Sequence, residues 1–189
     1  MARMRKLFPL SLVMSLFITV IGTSAADFNK ERLQASAKYF RVILTAELEI
    51  ENKKTNKGDF LVYLVGDVKG KPMAIVDAAL TPKGGLKIRK TPVKIEKTGI
   101  PLNQQQLNKG PAAIFITDNL DEADIALIMA WGIKEGIVVF SPYEGDVEKG
   151  VTTGMAVGAK VLPYINATAM KKSKLNFNPM LLRIGKIYE

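Results

Sequence analysis

The sequence predicts an α/β fold. It is read as one domain with a largely parallel sheet flanked by helices, finished by a C-terminal β-hairpin and a closing helix. Three observations carry that expectation. Short, near-continuous apolar runs stand at Asp59–Gly66, Ala112–Thr117 and Gly136–Phe140, as strands covered on both faces do. Segments of helical periodicity precede and separate them. From Ala112 to Phe140 the chain then runs strand, helix, strand within about thirty residues, the length of a βαβ unit with a right-handed crossover. No linker or internal repeat divides the chain, so residues 26–189 are read as a single domain.

The first 25 residues are set apart from that fold. Arg3, Arg5 and Lys6 form a basic start, Leu7 to Gly22 is uncharged and mostly apolar, and Thr23-Ser24-Ala25-Ala26 offers the small residues a signal peptidase accepts. A signal peptide over residues 1–25 and an exported mature chain are therefore expected. A retained anchor is the competing reading, against which stand the short apolar length and Pro9. Cleavage leaves 164 residues and lowers the formal charge from +9 to +6. That length buries an adequate core without disulfides, and the chain has no Cys to form one. A basic exported protein meets anionic membrane surface or acidic protein faces. Nucleic acid is not expected, because the lysines are scattered and no aromatic residues interleave with them as a stacking platform requires.

In order along the mature chain, Leu33, Ala37, Phe40, Leu44 and Leu48 share one stripe of a helix from Phe28 to about Ile50. Asn52 to Gly58 is a polar loop before the buried strand that ends at Gly66. A short helix, Met73 to Leu80, follows Pro72 and is ended by the Pro82–Gly85 break. Leu86–Arg89 and Val93–Glu96 alternate apolar and charged residues, as half-exposed strands do. After the Ala112–Thr117 strand, Asp118-Asn119 offers an N-cap to a helix running to about Lys134. Gly150–Gly158 and Lys160–Asn166 read as strands able to pair as a hairpin, and Pro179–Ile187 as the closing helix.

The chain contains neither His nor Cys, which removes Ser-His-Asp triads, Cys nucleophiles, conventional zinc sites and His or Cys ligation of haem. The acidic group Asp118, Asp121, Glu122, Asp124 lacks the spacing of a calcium loop and suits a helix N-terminus, where carboxylates are favoured by about 0.3–1 kcal/mol each. Tyr143–Glu148 reads as a solvated turn, and the glycines at 145, 150, 154 and 158 do not form a dinucleotide fingerprint. Ser173 has lysines on both sides but no Ser-Lys arrangement, Trp131 reads as core, and Asn166-Ala-Thr168 matches a glycosylation triplet without supporting context. No catalytic residue, metal or cofactor is expected, and the composition points to binding rather than to an enzyme. In an open parallel sheet the ligand sits outside the carboxyl ends of the strands, which places the candidate ligand residues at Gly66, Asp67, Thr117, Asp118, Ser141 and Pro142.

The C-terminal third carries a resemblance. A glycine-bearing strand, Gly150 to Gly158, is followed by Lys160-Val-Leu-Pro-Tyr-Ile-Asn166, by Ala167 and Ala169, by Ser173-Lys-Leu175, and by Pro179-Met-Leu-Leu-Arg-Ile-Gly-Lys-Ile187. This order is similar to that of the YfiR/HmsC family of exported bacterial proteins. The helix with Tyr39-Phe40, the strand ending in Val65-Gly66, Ala113-Ile-Phe-Ile116 and Ile137–Ser141 agree in order, so the resemblance covers most of residues 28–189. It departs from the family in having no cysteines, and in carrying Ile50-Glu51-Asn52 where the family has Trp-Pro. The resemblance implies a periplasmic protein that sequesters the periplasmic part of an inner-membrane sensor or diguanylate cyclase and so represses biofilm signalling through cyclic di-GMP. A homodimer is also implied. Tyr39, Phe40, Leu181 and Leu182 are the candidate partner-binding residues. The alternatives are a solute-binding protein and a structural component of an envelope complex.

Overall fold

Alternation along three strands builds two separate cores. In β1 (Phe60–Val65) every residue is buried, with Phe60, Val62 and Leu64 entering one core and Leu61, Tyr63 and Val65 the other. β4 (Ala113–Ile116) and β5 (Val138–Ser141) divide in the same way, so the sheet is covered on both faces. The computed structural model describes residues 25–189; the leader expected over residues 1–25 falls, up to residue 24, outside the described residues.

The first core is closed by α1 (Ala25–Ala46) and α2 (Lys71–Leu80), through Leu33, Ala37, Phe40, Leu44, Met73, Val76 and Leu80. The second is closed by α4 (Glu122–Glu135), through Ile125, Ile128 and Met129. Between α2 and β4 lie β2 (Lys87–Ile88), β3 (Thr91–Thr98) and α3 (Gln104–Leu107); after β5 come β6 (Thr153–Val157), β7 (Val161–Asn166), α5 (Ala167–Lys172), α6 (Pro179–Ile184) and β8 (Lys186–Tyr188). All eight strands form one sheet in the order β2-β3-β1-β4-β5-β6-β7-β8. Strands β3, β1, β4, β5 and β6 are parallel, β2 and β3 form an antiparallel hairpin, β6 and β7 form another, and β8 runs parallel to β7. This is the single α/β domain, with a mostly parallel sheet flanked by helices, that the apolar runs predict. No helix among the described residues is long and apolar enough to cross a membrane.

Four local expectations differ from the structure. Helix α1 stops at Ala46, short of Ile50, so Leu48 leaves the buried stripe and is exposed. Beyond the stop, Glu47 pairs with Phe177, and the Arg89 guanidinium donates to the carbonyls of Thr45 and Glu47. A short 3-10 turn, Ile50–Lys53, opens the segment read as a loop. The cap of α4 is Asp121, whose carboxylate accepts from the Asp124 amide at 2.8 Å; Asp118 is committed elsewhere. The closing helix is cut to α6 because Gly185, with the carbonyls of Leu181 and Pro163 each 3.1 Å from where its Cβ would stand, turns extended and starts β8.

Candidate functional site

Connections set the place of the site. From β1 the chain crosses through α2 on one face to β3, and from β4 it crosses through α4 on the other face to β5. The strand order therefore reverses between β1 and β4, and a crevice opens at their carboxyl ends, where open α/β sheets take ligands.

One side chain holds that junction. Asp118, just past β4, reaches across to β1, where its Oδ2 accepts from the Asp67 amide at 2.9 Å and from the Thr117 hydroxyl at 2.9 Å. Gly66 makes room for it: a Cβ there would lie 3.0 Å from Asp118 Cγ and nearer still to Asp118 Oδ2 and Thr117 Oγ1. Thr117 is fully buried, and its hydroxyl also lies 3.1 Å from the Val65 carbonyl, which competes with Asp118 for its one proton. Its own carbonyl accepts from the Tyr143 hydroxyl at 2.6 Å, and burial, with Asp118 nearby, pushes the Tyr143 phenol up to about 12.

In front of this junction lies a void of about 490 Å³, bordered by Gly66, Asp67, Val68, Lys69, Gly99, Ile100, Leu120 and Asp124. Ile100 and Asp124 are shared with a narrower slot of about 180 Å³, whose other walls include Pro101, Leu102, Leu127, Ile128 and Trp131. The Trp131 ring is half-buried and stacks on Tyr63, with centroids 6.4 Å apart and planes 26° apart. A mouth bearing charged side chains thus adjoins an apolar slot whose wall includes an aromatic ring. The mouth carries Asp67 and Asp124 against the single ammonium of Lys69, so it favours a ligand with a cationic group.

Of the six ligand residues placed by topology, Gly66 and Asp67 border the void, and Asp118 supports it from behind. Thr117, Ser141 and Pro142 are turned to internal work. The Ser141 hydroxyl donates to Asp146 at 2.5 Å, and the Pro142 carbonyl accepts from Arg32 Nε at 2.8 Å. Asp146 is itself buried, which raises its carboxyl above the usual range against the opposing hydrogen bond from Ser141. Sequence reading missed Lys69, Asp124, Leu127 and Trp131 as site residues. The last three were within reach, since positions 124, 127, 128 and 131 follow the spacing of one helical face.

The expected partner residues are corrected in part. Phe40 is fully enclosed, its ring edge-on to Phe115 and Phe140 at 5.2 and 5.6 Å, and Leu181 is buried as well. Tyr39 is half-buried and donates to the Val161 carbonyl at 2.8 Å, and Leu182 packs partly against the core. Phe40 and Leu181 fill the core because they lie on the inward stripes of α1 and α6, so their side chains do not project from the surface.

No family model matches the chain, and no curated protein matches it. Among solved structures it is similar to the ABC domain of Streptococcus pneumonia in complex with L-Trp, at 11% identity and a TM-score of 0.54, over 83% of this chain. The chain spans 62% of the length of that structure. It is also similar to a protein assigned to a branched-chain amino acid ABC transporter of Silicibacter pomeroyi, at 16% identity and a TM-score of 0.39, over 68% of this chain and 34% of that one. The first of these likenesses establishes an α/β fold shared over most of the chain, and nothing in either bears on the YfiR/HmsC resemblance.

Proposed function

We propose that the protein binds a small amphipathic molecule, a free amino acid with an apolar side chain or a close relative, in the crevice at the carboxyl ends of β1 and β4. One observation carries the reading: a mouth with two carboxylates adjoins an apolar slot lined by Trp131 at the point where the strand order reverses. Asp67 and Asp124 receive the ligand's ammonium group, Lys69 faces its carboxylate, and Leu127, Ile128 and Trp131 enclose its side chain. The S. pneumonia ABC domain, which shares the fold, is described in complex with L-Trp, and that supports a ligand of this class. That likeness supports the solute-binding reading ahead of sequestration of a diguanylate cyclase.

Thermal unfolding of the purified protein against L-amino acids, with neutral sugars as controls, tests this. At a ligand concentration of about 100 Kd, binding stabilises the fold by about 2.7 kcal/mol. For a domain of this size that raises Tm by about 5–10 °C. The paired substitution Asp67→Asn with Asp124→Asn abolishes the shift. A panel with no member that raises Tm would overturn the reading, and an undiminished shift in the paired variant would move the site elsewhere.

A further inference from the structure

A second concavity lies on the other side of the molecule, where α1, β2 and α6 meet, and the proposed ligand site does not involve it. Its void measures about 530 Å³. The floor is Ile88 and Leu181, both buried, and the walls are Val42, Met180 and Ile184, which expose 48%, 58% and 50% of their surfaces. Three such side chains around one concavity give a partner apolar surface to cover. The rim carries Lys38, Arg41 and Lys87, with no acidic residue among the lining groups. Among the described residues none of the three forms a salt bridge.

We propose that this groove docks an acidic amphipathic helix of a partner protein. Apolar side chains of that helix fill the space between Val42, Met180 and Ile184, and its flanking carboxylates meet Lys38, Arg41 and Lys87. The dimensions fit. From Lys38 to Ala46 the groove follows α1 for about 12 Å, or two helical turns, enough for anchors at i, i+4 and i+7. The charge selects the occupant. A second copy docked through the same face sets Lys38 and Arg41 against their own counterparts, since a two-fold interface pairs each patch with itself. An anionic membrane would reward the cations, but a helix laid in the concavity also covers its floor at Ile88 and Leu181, which a membrane surface does not reach.

The probe is a fluorescein-labelled synthetic helix with Leu at i, i+4 and i+7 and Glu on both flanks, followed by anisotropy as the protein is added. A scrambled peptide of the same composition lacks the apolar stripe. The designed helix binds, the scrambled one binds at least about tenfold more weakly, and added salt weakens binding. Ile184→Asp and the charge reversal Arg41→Glu each reduce affinity by about tenfold or more. Both positions are exposed, and an unchanged circular dichroism spectrum and Tm show that each variant is folded. Equal binding of both peptides, no binding of the designed helix, or full binding by folded Ile184→Asp each overturns the proposal. Sedimentation showing a dimer that Ile184→Asp dissolves would assign the groove to a second copy instead. Binding to phosphatidylglycerol vesicles that Arg41→Glu abolishes, with no peptide binding, would assign it to a membrane.

Discussion

Replacing Gly66 by alanine tests whether the mouth of the crevice is held as the structure shows. The added Cβ would stand 3.0 Å from Asp118 Cγ and nearer to Asp118 Oδ2 and Thr117 Oγ1, so the carboxylate has to leave the Asp67 amide that it binds at 2.9 Å. Losing a hydrogen bond to a charged acceptor costs about 1.5–3 kcal/mol. Crowding a packed position adds about 1–3 kcal/mol. A combined loss of about 2.5–6 kcal/mol lowers the Tm of a domain of this size by about 5–24 °C, read by circular dichroism. The cause is separated from general damage by a double-mutant cycle. Asp118→Ala alone gives up the same hydrogen bonds and removes one of the two side chains that obstruct a methyl at position 66, Thr117 being the other. The double variant is therefore more stable than the sum of the single losses predicts, by at least about 1 kcal/mol. Gly66→Ala within about 0.5 kcal/mol of the wild type, or strict additivity in the cycle, would refute the account of the junction.

Arg89 is expected to matter more than its exposure implies, because its guanidinium collects the carbonyls of Thr45 and Glu47 at the end of α1. Arg89→Ala lowers stability in urea melts by about 1–3 kcal/mol, and Arg89→Lys does not restore it, since an ammonium lacks the planar fork. Asp146 predicts a pH dependence. Burial raises its carboxyl in the folded protein, so its contribution is fully present below the ordinary value of 3.8 and is lost as pH rises through the raised one. Asp146→Asn should therefore gain on the wild type across that window, and parallel stability profiles would contradict the assignment. The two proposed sites stand on opposite faces of the sheet, with α1 over one core and α4 over the other. Ile184→Asp accordingly leaves a crevice-ligand Tm shift intact, and its loss would show coupling through the sheet.

The framework was legible because burial on both faces leaves a strong mark. Strands β1, β4 and β5 are short runs without charge, and their order with the helices between them implies parallel pairing before any coordinate is known. The hairpin of β6 and β7 was legible for a related reason, two strand-like runs separated by Gly158-Ala159. What escaped was short or decided at a distance. Helix α3 spans four residues and depends on a capping box between Asn103 and Gln106, too little for periodicity to register. Strand β8 exists because β7 offers an open edge, and nothing within Lys186-Ile-Tyr188 announces that.

The same distinction governs the site. Topology located the carboxyl edge, but which of its residues face a ligand depends on how competing hydrogen bonds resolve across the sheet. Asp118 and Asp121 show this most clearly. Both stand before the same helix as acceptable caps, and sequence ranks Asp118 at least as highly. In the structure Asp121 caps α4, while Asp118 binds the Asp67 amide some fifty positions earlier in the chain. The vacancy that allows this is Gly66, a residue whose contribution is the side chain it lacks. The proposed docking groove repeats the pattern. It borders α1 and α6, from which the sequence reading took Tyr39, Phe40, Leu181 and Leu182, and of these Phe40 and Leu181 are enclosed. Those are the residues the core claims first, so the surface is left to Val42, Met180 and Ile184, one helical face further round.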